Sequence, residues 1–297
     1  MNLSLKQNKV LLITGATGYL SANFLNYVFI NKPDFFSGFT KVILLDRTLK
    51  NLRLEKQLME LDNIVSLESD LSDLNSIYRE LEAFSELLVC HFAYLRDLDQ
   101  EQNFLKSLNS FSKENSIDLK LVFLSSAAVY GEVEQGFACE DDALQPLSAY
   151  GEYKKSLEEF IVNIFSKFLI VRFANPYGKE FTKVGVYRHF FEALEQQIQS
   201  GEERLSLNIN AEKEAEIIRD FVYIDEFSEK FLNFISQNDL IGIINLSSGQ
   251  AKSLEDFAKE IISNEFKEHS NKKLEFSYRG YAEGDIKRSV LSTSKQS

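Results

Sequence analysis

The sequence predicts an α/β fold, a doubly wound parallel sheet with a smaller C-terminal α/β lobe after it. Three observations lead there. Apolar, strand-like runs alternate with helical stretches through roughly the first 175 residues, as parallel strands joined by crossover helices require. The first run, Val10-Leu11-Leu12-Ile13, feeds a tight glycine turn and then a helical stretch, Tyr19–Asn31. Beyond Gly178 the alternation gives way to amphipathic and acidic segments with short strands. No repeat or low-complexity linker separates the parts. The expected division is a sheet domain over 1–178 and a substrate-binding lobe over 179–297, with the chain free to cross between them.

The glycine turn, Thr14-Gly15-Ala16-Thr17-Gly18, carries chemistry of its own. Gly15 permits the sharp turn, and Gly18 lets backbone come close to a pyrophosphate. The helix that follows offers N–H groups and a positive dipole end to phosphate charge. This is the start of a dinucleotide-binding, Rossmann-type domain. The next strand, 41–46 (KVILLD), ends on Asp46, where an acid accepts hydrogen bonds from the adenosine ribose hydroxyls and points to NAD. Arg47 follows and offers the alternative, pairing with the 2′-phosphate of NADP. A third strand over 65–71 sets Asp70 where an adenine amino group would lie.

The fourth strand, 87–92, exits through Ala93 and Tyr94, and 97–116 reads as a helix without obvious chemistry. A fifth strand, 119–124, delivers Ser125 and Ser126 at its carboxyl end, the side on which such sheets bind ligands. An acidic, aperiodic loop over 131–146 follows. Ser148 then opens a helix on which Tyr150 and Lys154, four apart, share a face. A sixth strand, 168–173, leads into Ala174-Asn175-Pro176-Tyr177-Gly178. In the second lobe, 186–200 is amphipathic and 212–216 is an acidic loop. Strands are expected at 219–224, 241–246 and 273–278, with helices at 225–237 and 254–266.

With 33 Lys and Arg against 45 Asp and Glu, the formal charge is −12. That argues against nucleic acid or an anionic membrane as a partner. Two cysteines, Cys90 and Cys139, are too few for a disulfide framework, and Cys90 reads as a small core residue. No apolar run reaches membrane-spanning length and the N-terminus has no signal-peptide pattern, so a soluble, cytoplasmic protein is expected. The histidines and cysteines show no zinc-ligand spacing, so no metal is expected. Neither a GxSxG elbow nor a P-loop occurs.

Ser126, Tyr150 and Lys154 form a coherent catalytic set. A phenol with a solution pKa of roughly 10 is a poor base at neutral pH. A neighbouring ammonium and an oxidised nicotinamide would favour its phenolate. Tyr150 would then exchange a proton with a substrate hydroxyl while hydride moves between the same carbon and the cofactor. Ser126 would fix the substrate oxygen, and Lys154 would hold the nicotinamide ribose.

These residues resemble the extended short-chain dehydrogenase/reductase family, in its nucleotide-sugar epimerase/dehydratase branch, over nearly the whole chain. TGATGYL resembles TGxxGxxG, with Ser21 at the third glycine position. LSSAAVYG resembles SSxxVYG and carries the catalytic serine role to Ser126. SAYGEYKKSLEE resembles SxYGxSKxxxE and carries the acid/base role to Tyr150 and its lysine to Lys154. VRFANPYG resembles LRxxNxYG, which implies a nucleotide-sugar contact at Asn175. RDFVYID resembles RDFVHVxD, which implies a diphosphate contact at Arg219. INLSSGQAKSLEDFA resembles NxGSGxxxSLxELA. The expected cofactor-binding set is Gly15, Thr17, Gly18, Tyr19, Leu20, Asp46, Arg47, Asp70, Leu71, Ala93, Tyr150 and Lys154; the expected substrate-binding set is Ser126, Asn175 and Arg219.

The chain also departs from the family pattern. Ala127 and Ala128 stand where 4,6-dehydratases carry an Asp-Glu pair, so dehydration is not expected. Ala282-Glu283-Gly284-Asp285 replaces RPGD or REGD, so a phosphate contact is lost or passes to Arg279 or Arg288. A short C-terminal lobe is closer to several sugar 4-ketoreductases. The leading expectation is an NAD-dependent nucleotide-sugar 4-epimerase; the alternatives are an NADPH-dependent 4-ketoreductase and a non-catalytic dinucleotide-binding sensor. The family's habit of pairing helices implies a homodimer through 97–116 and 148–166. Phe181, Tyr187, Arg188 and Leu205 fall where the second lobe would shape a substrate pocket.

Overall fold

The structure, a computed structural model, describes residues 8–50, 58, 60–81, 84–178, 185–209, 217–237, 241–280 and 286–295. The expected acidic loop at 212–216, Phe181 and the 282–285 segment lie outside these residues.

The first half of the chain runs β1 (Lys9–Thr14), α1 (Tyr19–Asn31), α2 (Asp34–Ser37), β2 (Lys41–Asp46), β3 (Ile64–Glu68), α3 (Leu74–Leu81), β4 (Glu86–His91), α4 (Leu98–Glu114) and β5 (Asp118–Leu124). It continues through α5 (Ala149–Ile164), β6 (Phe168–Phe173), β7 (Asn175–Tyr177), α6 (Val186–Gln199) and β8 (Arg204–Ile209). The remainder is β9 (Ile218–Tyr223), α7 (Ile224–Ser236), β10 (Gly242–Leu246), β11 (Ala251–Ser253), α8 (Leu254–Glu265), β12 (Lys273–Tyr278) and β13 (Arg288–Ser289).

Seven strands form the parallel sheet in the order β10-β6-β5-β4-β1-β2-β3. Strand β1 pairs in parallel with β2 and β4, with Leu12 opposite both Ile43 and Val89. The inner strands are apolar along nearly their whole length because both faces are covered, and residues 10–13 are fully buried. The strand order reverses between β1 and β4. A crevice opens beyond the carboxyl ends of the strands at such a switch point.

The chain divides into two compact units. One comprises Met1–Ser125, Tyr153–Arg172 and Ile224–Ile244; the other comprises Ser126–Glu152, Phe173–Tyr223 and Asn245–Ser297. Helix α7, late in the sequence, belongs to the first unit and packs on α1. There Phe231 meets Phe24 edge-on at 5.0 Å and Phe92 at 5.2 Å, and stacks on Phe227 at 5.8 Å.

In the second unit, β9 pairs with β11 antiparallel and with β7 and β13 in parallel. Strands β8 and β12 make a separate parallel pair. The core between these strands and helices α6 and α8 is aromatic, with Phe221 stacked on Phe257 at 3.5 Å.

Four differences from the sequence expectation have local causes. Strand β3 ends at Glu68, before Asp70, because the Asp70 carboxylate accepts the Ser72 N–H and hydroxyl and closes a turn. Helix α3 is not among the expected elements, although Leu74, Ile77, Tyr78 and Leu81 have helical spacing and Ile77 and Leu81 are buried. Strand β8 alternates exposed and buried residues throughout, a period-two signal in RLSLNI that was legible. Strands β7, β11 and β13 are two or three residues long, too short for any periodicity to appear. Among the described residues, no helix is long and apolar enough to cross a membrane.

Phe231 is fully buried, so its truncation empties the α1–α7 contact. Phe231→Ala is expected to lower unfolding stability by about 3–5 kcal/mol, measured by urea denaturation.

Candidate functional site

The turn after β1 is built by close backbone approach. Gly15 has φ +69°, and a Cβ there would lie 2.8 Å from the Ala93 nitrogen. Only glycine meets both demands. Ser21, expected only to be small, is fully buried and donates its hydroxyl to the Gly15 and Gly18 carbonyls, pinning the turn to α1. Gly18 caps α1 without a side-chain bond and lines the cavity described below, so no side chain caps the helix N-terminus, as an anion site there requires.

Asp46 at the end of β2 is fixed by three donors. Its Oδ2 accepts the Thr17 N–H at 2.9 Å and hydroxyl at 2.7 Å, and its Oδ1 accepts the Arg47 N–H at 2.7 Å. A carboxylate has about four acceptor positions, so Asp46 retains capacity for a ligand hydroxyl. A cavity of about 260 Å³ opens here. It brings together Gly15, Thr17, Gly18, Asp46, Arg47, Leu71 and Ala93 from the expected cofactor set, with Leu45, Ser69 and residues 92, 94 and 95 beside them. Tyr19, Leu20 and Asp70 are not among its lining residues. Asp70 is exposed, and its Ser72 hydrogen bonds hold its carboxyl below the usual range. The cradle at Gly15 and the anchored acid at Asp46 fit a dinucleotide.

Ser126 and Tyr150 belong to the second unit. Ser126 is half-buried and opens a 3₁₀ turn, Ala127–Val129, by accepting the Ala128 N–H at 3.2 Å. Tyr150, also half-buried, sits in the first turn of α5. The next residue, Gly151, packs so closely on the Ser126 turn that a Cβ would lie 2.6 Å from the Ala128 carbonyl oxygen and 2.7 Å from Pro146.

Lys154, one helical turn after Tyr150, belongs to the first unit and is 3% exposed. Its Nζ donates to the Leu124 carbonyl at 2.9 Å and lies 4.5 Å from the Phe123 ring centre. Burial pulls its ammonium down to about 8, against the opposing charges of Glu101 and Glu158. It therefore remains mainly cationic at neutral pH. Ser125, the other strand-end hydroxyl, is buried and donates to Glu158, which also takes a two-pronged ion pair from Arg172.

The second unit contains its own cavity, of about 420 Å³, bounded by the start of α6, the end of β8 and the start of β9. Arg219 lines it and donates its guanidinium to the carbonyls of Ile218, Ile286 and Lys287. Of the residues set near a substrate pocket by the sequence, Tyr187 and Leu205 are buried in the aromatic core and Arg188 pairs with Glu192. Val186, His189 and Phe190 line the cavity instead. Asn175 does not line it; its amide donates to the Asp220 carbonyl at 2.9 Å. Arg288 donates to the Gly136 carbonyl at 2.9 Å, and the Arg279 N–H bonds Ile209.

Several residues went unread in the sequence. Asp220 is fully buried and grips the Ser248-Gly249 turn through three donors. Glu101 lies in the helix expected to carry no chemistry, yet it is fully buried and accepts from Leu95 and Tyr153. Its spacing with Phe104, Leu105 and Leu108 on one helical face was the available signal.

The sequence model of the NAD dependent epimerase/dehydratase family matches residues 11–246, and the chain belongs to that family. It is 24% identical to ADP-L-glycero-D-manno-heptose-6-epimerase of Brachyspira hyodysenteriae, across 94% of this chain and 90% of that protein. The UDP-glucose 4-epimerase of Thermus thermophilus, solved with NAD, has a TM-score of 0.72 and 22% identity, covering 97% of this chain and 91% of that one. The UDP-N-acetylglucosamine 4-epimerase of Methanobrevibacter ruminantium, in complex with UDP-N-acetylmuramic acid, has a TM-score of 0.71 and 23% identity over 97% and 90%. The two solved structures share its fold.

The contact at Gly151 leaves no room for a methyl group. Gly151→Ala is expected to cost about 1–3 kcal/mol by overpacking, read as a fall in the urea midpoint at an unchanged denaturant slope.

Proposed function

We propose that the protein is a nucleotide-sugar 4-epimerase that works by transient oxidation, with NAD in the cleft beside Gly15 and Asp46. The observation that carries this is Asp46, an acid at the end of β2 that is fixed by three donors and still lines the cavity. A ribose with both hydroxyls suits such an acid, whereas a 2′-phosphate is repelled by it. The match of the family model and the heptose-6-epimerase relative support epimerase chemistry. Gly15, Thr17, Gly18, Leu71 and Ala93 would bound the dinucleotide with Arg47, and Tyr19 and Leu20 would offer first-turn backbone to its phosphates. Asp70 is assigned to the adenine end, Lys154 to the nicotinamide ribose and Tyr150 to the nicotinamide.

NAD, when bound, supplies the acceptor for the hydride of the sugar carbinol carbon and the donor for its return. Tyr150 takes the hydroxyl proton as that hydride leaves, and gives it back to the same oxygen after the keto-sugar has turned over. Proton and hydride both return, so the reaction has no net redox change. Ser126 hydrogen-bonds the reacting oxygen. Lys154, one turn from Tyr150, adds positive charge that favours the phenolate. Arg219 and Asn175 are assigned to the nucleotide-sugar, with the cavity at Arg219 taking its nucleotide diphosphate. We extend the reading to a homodimer paired through α4 and α5, and to a cytoplasmic setting.

One observation favours a second reading. Arg47 lines the same cavity as Asp46, as an NADPH-dependent 4-ketoreductase would need for the 2′-phosphate. In that case Tyr150 donates a proton to the alkoxide formed at the ketone.

Tyr150→Phe is expected to lower turnover of a nucleotide-sugar by about 10²–10⁴-fold while its binding, followed by calorimetry, stays within about threefold of wild type. Turnover at the wild-type rate would remove Tyr150 from the mechanism.

A further inference from the structure

Behind the cleft wall lies a polar cluster that the assignments above do not use. His91, fully buried at the end of β4, places Nδ1 2.7 Å from the Thr14 hydroxyl and Nε2 3.2 Å from Glu101 Oε1. The other Glu101 oxygen accepts the Leu95 N–H at 3.0 Å and the Tyr153 hydroxyl at 2.5 Å. Thr14 Oγ1 in turn accepts the Ala93 N–H at 3.4 Å. The bonds form one directed chain when the imidazole carries its hydrogen on Nε2, with every donor matched to an acceptor. The Tyr153 ring meets the Tyr94 ring edge-on at 5.1 Å, and the Tyr94 ring centre is 5.6 Å from the Lys154 ammonium. Ala93, Tyr94 and Leu95 all line the cleft.

The charges in this region balance in a particular way. Among the described residues of the first unit, the buried charged side chains besides His91 are Glu101, Lys154, Glu158 and Arg172. Glu158 is committed to Arg172 through three hydrogen bonds. The direct partners of Glu101 are an imidazole, a phenol and a peptide N–H. The lysine is thus left with Glu101 as the carboxylate not already taken by another cation. Around Lys154 lie Tyr94, Phe123 with His91 stacked on it, and the Leu124 carbonyl, while its own helix carries Tyr153 next to it, Glu158 four residues on and Tyr150 one turn earlier.

We propose that Glu101 is a positioning residue for Lys154: its carboxylate is the counter-charge of that buried ammonium and, through Leu95 and Tyr153, the anchor of the cleft wall at 93–95. The inference deepens the assignment of Lys154 to the cofactor site and rests on it. Two consequences follow from the geometry. Removing the charge at 101 makes the cationic form of Lys154 less favourable, and removing the acceptor frees the wall that carries Tyr94 and Leu95. Tyr153 fits the arrangement, since it stands where the family pattern SxYGxSKxxxE carries a serine, too short to span the same gap. Burial would raise the Glu101 carboxyl, but the His91 hydrogen bond and the neighbouring Lys154 and Tyr153 outweigh it and hold it below the usual carboxylate range. The counter-charge is therefore present across the working pH range.

The test follows the Lys154 side-chain resonance through a pH titration of the ligand-free chain grown with ε-¹³C lysine. The resonance is identified by its loss in Lys154→Met. A midpoint near 8 is expected in the wild type. Glu101→Gln should move it down by about one pH unit, a tenfold loss of the cationic form near the midpoint, and Glu101→Asp should restore it. An unmoved midpoint in Glu101→Gln overturns the proposal. Should that variant not fold, the wild type decides: a midpoint below about 6, the range of a buried lysine without a counter-charge, overturns it equally. NADH binding to the wild type, followed by fluorescence, tests the cofactor assignment separately, because the titration needs no ligand.

Discussion

The close approach of the β1 turn to the Ala93 backbone is the constraint on which the rest of the first unit depends. A side chain at position 15 would occupy the space of the Ala93 amide, so the segments leaving β1 and β4 can lie this close only with a glycine there. The crevice at this switch point has groups placed around it from both sides. On one side Ser21 ties the turn to α1 and Thr17 ties it to Asp46. On the other, Thr14, His91 and Glu101 tie it to the wall at 93–95. The cleft is thus a hydrogen-bonded frame, which costs less to order before a ligand arrives than a flexible loop would.

Much of this was legible in the sequence because it obeys short-range rules. A run of buried apolar residues, a glycine turn and a helix announce the first βα unit, and Asp46 falls at the end of the next strand by simple counting. The paired Tyr150 and Lys154 were visible from helical spacing, and Ser126 from its place after β5. What stayed hidden depends on contacts distant in sequence. Glu101 is an ordinary helical glutamate until β4 brings His91 to it, and Tyr153 comes from 52 residues further on. Asp220 likewise gains its meaning only when Ser248 and Gly249 close on it. The return of α7 to the first unit could not be read from the order of elements either, because its aromatic face suits any core.

Among the described residues of the first unit, two buried carboxylates divide the electrostatic work. Glu158 neutralises Arg172 and receives Ser125, which locks α5 to β5 and β6. Glu101 is left to balance Lys154. A buried ion pair contributes little net stability and is damaging when half is removed, so such pairs read better as devices for holding a charge in a chosen place. Holding the Lys154 charge in place is what a mechanism dependent on a phenolate at Tyr150 demands.

The central claim is that the cleft beside Asp46 holds NAD through a full catalytic cycle. Denaturing the purified protein and identifying any released nucleotide by chromatography and mass tests it most directly. The account predicts NAD close to one equivalent per chain. An empty cleft that then binds NADPH more tightly than NADH would contradict it, and would move the 2′-phosphate onto Arg47 and the reaction to ketone reduction.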